Sequence, residues 1–170
     1  MIRLWKSITK FFEGSPAKLK VARLMVELGF SINESGRIVC GNVEISDADL
    51  SRAAGVDRRV VRQTVEEIMG DPLMKRIFTG IKPAGSFLKE IAPALGYGVV
   101  EVRAKSDAVG VIFHVTKCIS EAGISIRQIL AEDPELNPDP KLMIITDTKV
   151  PGEVISKLLT APTVTKVSVS

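Results

Sequence analysis

Residues 45–68 read ISDADLSRAAGVDRRVVRQTVEEI, and their spacing predicts two short helices joined by a tight turn. Ser46 is a suitable N-cap, with Leu50, Ala53 and Ala54 as the buried side of the first helix. Gly55 ends that helix, Val56 fills the space beneath the turn, and Asp57 caps a second helix whose apolar side is Val61, Thr64, Val65 and Ile68. The opposite side carries Arg58, Arg59, Arg62 and Gln63. Two helices that cross near a right angle need a small residue at the crossing, a glycine in the turn and apolar anchors beyond it. Ser51, Gly55, Val56 and Val61 meet those needs.

This combination resembles the helix-turn-helix of bacterial and archaeal DNA-binding regulators. Ser51 stands where alanine or glycine is usual, and Thr64 where an aliphatic residue is usual; both are small enough to fit. The resemblance implies that Arg58, Arg59, Arg62 and Gln63 face DNA, since arginine and glutamine suit bidentate contact with guanine and adenine. The plainer alternative is a solvated helix face on which arginines pair with Glu66 at i, i+4 spacing.

Around this motif the chain of 170 residues, about 45% apolar, can form one large domain or two small ones. Its net charge of +3 is unevenly spread. Residues 1–80 hold 13 Lys or Arg against 10 Asp or Glu, whereas residues 81–170 hold 10 against 10, so the excess lies with the helix-turn-helix. Cys40 and Cys118 are isolated thiols and His114 is the single histidine, which argues against a disulfide framework or a zinc site. No apolar run approaches the roughly 18 residues of a membrane span, and the chain is expected in the cytoplasm.

Upstream, residues 2–12 place Ile2, Leu4, Trp5, Ile8, Phe11 and Phe12 at helical spacing among Arg3, Lys6 and Lys10. The stretch is either a helix docked on the domain or a membrane-surface helix. Ser15 and Pro16 open a helix to about residue 28 on Leu19, Ala22, Leu24, Met25 and Leu28. Residues 33–36 turn between two short strands, a connector or a small wing touching phosphate through Arg37. Asp71 and Pro72 start a further short helix.

Residues 79–98, TGIKPAGSFLKEIAPALGYG, are rich in glycine and read as a junction with a short amphipathic piece capped by Ser86. The boundaries expected are therefore 1–78 for a helix-turn-helix domain, 79–97 for a linker and 98–170 for a second domain. In that domain strands are expected over 99–104, 124–130, 141–147 and 164–169. One helix spans 110–122 on Val111, Ile112, Val115, Cys118, Ile119 and Ala122, and another opens at Pro151 on Val154, Ile155, Leu158 and Leu159. The fold class is α+β, a mostly helical unit followed by a ferredoxin-like βαββαβ unit.

That order serves many functions, but the loop SDAVG (106–110) and the segment EAGISI (121–126) resemble an ACT domain, a small amino-acid-sensing module. The resemblance implies an amino-acid effector bound at a helix N-terminus, whose unpaired N–H groups favour a carboxylate where Gly110 lets backbone approach. Asp107 would hold the α-amino group, backbone at Val109 and Gly110 the carboxylate, and Lys105 would line the pocket. Ser125 stands where the family often has an asparagine that reaches ligand across a dimer, and Val109 where it has a proline. The bland alternative is a helix entry in a domain that only dimerises.

Taken whole, and best in GVDRRVV (55–61) and the loop-to-helix segment, the chain is similar to an archaeal group described as regulators of amino-acid metabolism. The implied function is an amino-acid-responsive DNA-binding regulator, a homodimer or higher even oligomer, with no cofactor. An amino-acid-sensing subunit of a metabolic enzyme that docks on protein and not on DNA is the alternative. His114 has no second histidine and no acid at a triad spacing. The carboxylate pairs Asp47 and Asp49, Glu66 and Glu67, and Glu132 and Asp133 fall at helix starts, on solvated faces or in loops. With no nucleophile elbow, phosphate loop or dinucleotide fingerprint, the sequence argues against an enzyme.

Overall fold

In the computed structural model, which describes residues 4–105 and 108–170, the chain divides into two units, Met1–Gly85 and Ser86–Ser170. In the first, α1 (Leu4–Phe11) buries Trp5 and Ile8, and Phe12 just beyond it is also buried. The face a membrane-surface helix would need is therefore spent against α2 (Pro16–Glu27) and its surroundings. Pro16 opens α2 by its fixed φ; Ser15, expected as a cap, makes no side-chain cap bond. The buried side is Val21, Ala22 and Met25. Leu28, expected inside, is 48% exposed, because the helix has ended at Glu27 and the chain turns away at Gly29 (φ +70°).

Three short antiparallel strands follow in the order β1 (Ser31–Ile32), β2 (Ile38–Cys40), β3 (Val43–Glu44). Asn33 Oδ1 accepts from the N–H groups of Ser35 and Arg37, which fixes the first turn as an Asx turn. The sequence signalled two strands; Gly41, at φ +59°, reverses the chain and adds the third.

The helix pair forms as its caps dictate. Ser46 Oγ accepts from Asp49 N–H at 3.1 Å ahead of α3 (Asp47–Ala54), and Asp57 Oδ1 from Arg59 N–H at 2.7 Å ahead of α4 (Arg58–Gly70). Such caps contribute about 1 kcal/mol each. Asp71 does the same for α5 (Pro72–Gly80). Between α3 and α4, Gly55 sits at φ +65° and Val56 N–H donates to Ser51 C=O at 3.0 Å. α3 buries Leu50 and Ser51, whereas Ala53, expected inside, is exposed and Ala54 half-buried. Ser51, the small residue expected at the crossing, is buried, and its hydroxyl donates to Ala48 C=O at 2.9 Å. α4 buries Val61, Thr64, Val65 and Ile68, and Thr64 Oγ1 donates to Val60 C=O at 2.7 Å. α2 packs on both α3 and α4, and α5 on α4 and β1.

The second unit runs β4 (Gly98–Ala104), α6 (Val111–Glu121), β5 (Ile126–Ala131), β6 (Lys141–Thr146), α7 (Gly152–Leu158), β7 (Val164–Val169). Its strands form one antiparallel sheet in the order β5-β6-β4-β7. Alternate residues of the central strands, Val100, Val102, Leu142 and Ile144, meet Val115, Cys118, Ile119, Val154 and Leu158 in a single core, as the period of two requires. Ile112 (48%) and Leu159 (50%), with Ala122, were expected inside but lie beyond the stripe that the sheet covers.

The other sheet face is covered at one end. Ala92 packs with Val99 and Ile145, flanked by Leu88 and Tyr97, so residues 86–97, within the stretch that reads as a junction, lie on the sheet. Gln128 fastens them: its Oε1 accepts from Leu88 N–H at 3.0 Å and its Nε2 donates to Ser86 C=O at 2.7 Å. Arg127 lies 4.3 Å above the Tyr97 ring, at a cation–π distance. Among the described residues no helix is long and apolar enough to cross a membrane.

Candidate nucleic-acid interface and ligand loop

The exposed side of α4 is set by the burial of Val61, Thr64, Val65 and Ile68, which turns Arg58, Arg59, Arg62 and Gln63 to solvent. Arg58, Arg59 and Arg62 share an open hollow of about 420 Å³ with Asp47 and Asp57. Their positions within it differ in kind. Arg62 donates from Nε (3.0 Å) and Nη2 (2.7 Å) to the same oxygen, Asp47 Oδ2. That hydrogen bond first, and the opposite charge second, raise the Arg62 pKa further above its ordinary value. Among the described residues, Arg58 and Arg59 enter no ion pair. Both stand in the first turn of α4, where the helix dipole disfavours a cation.

The i, i+4 spacing points Arg62 at Glu66, but its acid partner in the fold is Asp47, fifteen residues back on α3. No local signal in sequence announces that pair; it exists because α3 crosses α4. A second, more polar cleft of about 250 Å³ lies between the 33–37 turn and the helix pair, lined by Arg37, Glu44, Ser46, Asp47, Arg58 and Arg62 among others. Arg37 pairs there with Glu44. Asp49 is engaged by Ser46 and then Arg52, which together hold its carboxyl below the ordinary value. Farther along α4, Glu67 pairs with Lys18 on α2.

In the second unit the loop between β4 and α6 borders a hollow of about 150 Å³, whose lining includes Lys105, Ala108, Val111, Glu132 and Lys141. Gly110 precedes α6 at φ +84°, a backbone state that suits glycine alone, and a Cβ there would meet nothing within 4 Å. Val109 does not line the hollow; it is 95% exposed. Asp107 lies outside the described residues. Ser125 sits at the other end of the sheet, beside the Gly98–Thr146 pair, with Asp147 Oδ1 accepting from its N–H at 3.3 Å. Six residues of β4 separate that end from Ala104, about 20 Å at a strand's rise. Of the expected ligand residues that are described, Lys105 lines the hollow, Val109 and Gly110 do not, and Ser125 stands apart at the far end of the sheet.

Sequence reasoning missed Glu132 and Lys141 in this lining. Glu132 Oε2 accepts from Asn137 Nδ2 and from Lys141 N–H, so its carboxylate braces the 132–141 loop. His114 Nε2 is 3.8 Å from Cys118 Sγ, on one side of α6. Among the described residues no three His, Cys, Asp or Glu side chains are grouped to hold a metal ion.

No family model matches the chain, and no curated protein matches it. Among solved structures it is similar to an AsnC family transcriptional regulator from Agrobacterium tumefaciens, 13% identical over 91% of this chain and 86% of that one, with a TM-score of 0.27. It is also similar to a transcriptional regulator in complex with L-Met from Neisseria meningitidis, 10% identical over the same shares, with a TM-score of 0.26. Scores this low give the likeness no weight for fold or function.

Proposed function

We propose that this chain is an amino-acid-responsive DNA-binding transcriptional regulator. In this reading the first unit is a helix-turn-helix DNA reader, and residues 98–170 are a ferredoxin-like ACT domain that dimerises and binds the effector. The observation that carries the reading is the exposed start of α4, where Arg58, Arg59, Arg62 and Gln63 stand together and, among the described residues, two of the arginines enter no ion pair. Two unpaired arginines at the positive end of a helix dipole cost stability. A face that gives up stability in this way is characteristic of a binding site.

Charge along α4 adds a direction. Its first turns are cationic and its later turns carry Glu66 and Glu67, so the helix would enter the major groove N-terminus first, as recognition helices do. Dimerisation is supported by exposed apolar residues at the start of α6 and on the edge strand β5: Val109, Ile112, Phe113, Ile129 and Leu130. Two recognition helices about 34 Å apart would then meet one face of a duplex. An amino acid held near Lys105 and Gly110, with Ser125 of a second copy closing the site, would alter that spacing.

The test is a fluorescence-anisotropy titration of a labelled duplex across salt concentrations. Arg58 and Arg59 from each of two helices would release about four counterions, giving a slope of log K against log salt near about −4. Binding that ignores salt, or a monomer by light scattering at micromolar concentration, would sink the reading. For the effector, a thermal-shift screen of the twenty amino acids should find one that stabilises the protein by about 2.7 kcal/mol at a hundred times its Kd.

A further inference from the structure

Among the described residues the Arg62 guanidinium is gripped on one edge only. Its Nε–H and one N–H of Nη2 converge on Asp47 Oδ2, and an arginine carries five such donors in a rigid plane. The edge that remains, formed by Nη1 and the second N–H of Nη2, is the two-pronged fork that matches O6 and N7 of guanine. The grip comes from a firm base. The Asp47 side chain is 18% exposed against 63% for Arg62, it sits in the first turn of α3 directly behind the Ser46 cap, and α3 packs on α4. Arg58 and Arg59 have no comparable brace among the described residues.

Resting on the DNA-binding reading above, we propose that Asp47 is a positioning residue that commits Arg62 to reading guanine, while Arg58 and Arg59 serve the phosphate backbone. A braced guanidinium surrenders less side-chain freedom when it meets a base, and its plane is set before contact. A cation bound to phosphate needs no such orientation, because a phosphate accepts from many directions and carries no sequence information. The rival role for Asp47 is to neutralise Arg62 and withhold it from DNA. That role makes the opposite prediction for loss of the carboxylate.

The experiment is selection of duplexes from a randomised pool by the full-length protein, followed by anisotropy titrations on the selected duplex and on versions with one guanine replaced by adenine. The wild-type protein should prefer guanine at one position by roughly 5- to 150-fold, the range of a bidentate arginine contact. D47A is expected to lose most of that preference while its salt slope stays unchanged, since the count of phosphate-bound cations is the same. D47L, which fills a similar volume at the start of α3 but offers no acceptor to Arg62, should show the same loss if alanine disturbs the fold. R62A should lose the preference too. Full guanine preference in the Asp47 variants, or tighter binding to every duplex with preference intact, would overturn the proposal and leave the DNA-binding reading standing. Absence of salt-dependent binding by the wild-type protein would overturn both.

Discussion

Replacing Arg58 and Arg59 together with alanine should move stability and DNA affinity in opposite directions. Both residues lie in the first turn of α4, where an exposed cation is disfavoured by about 0.3 to 1 kcal/mol. Asp57, whose carboxylate accepts from Arg59 N–H, offsets part of that repulsion, so the lower end applies: about 0.3 kcal/mol each, or about 0.6 kcal/mol for the pair. In a unit of this size, 1 kcal/mol corresponds to about 4 to 8 °C. The double variant should therefore melt about 2 to 5 °C higher at low salt, with a smaller gain at high salt as the dipole is screened. Its duplex affinity should fall by at least tenfold, with a shallower salt slope. Circular dichroism at two ionic strengths and anisotropy on the same samples make the comparison. A lower melting point would show the arginines to be structural, and unchanged affinity with an unchanged slope would remove them from any nucleic-acid interface.

Three other outcomes follow from the packing. Gly29→Ala should destabilise the first unit by about 2 to 5 kcal/mol, the sum of a left-handed backbone cost and overpacking, because its Cβ would sit 2.6 Å from Pro83 Cα. Gly36→Ala at the same φ of +70° but in open space should lose only about 1 to 2 kcal/mol; equal losses in chemical denaturation would refute the role of Pro83. Gln128→Ala should release residues 86–92 to faster hydrogen exchange while β4 and β6 stay protected, at about 1 to 2 kcal/mol; unchanged exchange there would show that apolar packing of Leu88 and Ala92 suffices. The Glu101 carboxyl is held below its ordinary value of 4.5 by the Lys89 hydrogen bond first. Its stabilising effect is thus complete above that value and is lost as pH falls below it. Melting of Glu101→Gln should be less acid-sensitive than wild type between pH 5 and 3, and parallel curves would count against the pair.

What the sequence made legible was local. Asp57 and Asp71 announce their helices by accepting orphan N–H groups within three residues, and the 3.6 period of Val61, Thr64, Val65 and Ile68 names the buried side of α4 without further context. Interactions that depend on how elements cross were not legible. The Asp47–Arg62 pair spans fifteen residues, and the Gln128 clamp reaches back some forty to a stretch whose glycines and prolines suggest a linker. Apolar stripes also ran too far: Leu28, Ile112 and Leu159 keep the helical period, but the protein surface that would cover them has ended. For the ligand loop, sequence could group Lys105, Gly110 and Ser125 only by resemblance. Strand length separates Ser125 from the others within one chain.

The polar residues of the helix pair sort into two kinds, and the difference bears on function. Ser51 and Thr64 break the expected pattern inside the fold, yet each is answered locally, by Ala48 C=O and Val60 C=O. A buried hydroxyl with a backbone partner costs little, so these departures need no functional explanation. Arg58 and Arg59 break a rule on the surface, standing at the positive end of α4, and among the described residues neither enters an ion pair; Asp57 beside them caps the helix and offsets only part of the cost. Arg62, one turn on, is answered by a carboxylate that occupies only one edge of its guanidinium. Where the conflict would harm the core the chain has resolved it. Where it remains, three cations face outward from one short helix end, and a polyanion is the partner that would convert their standing cost into binding energy.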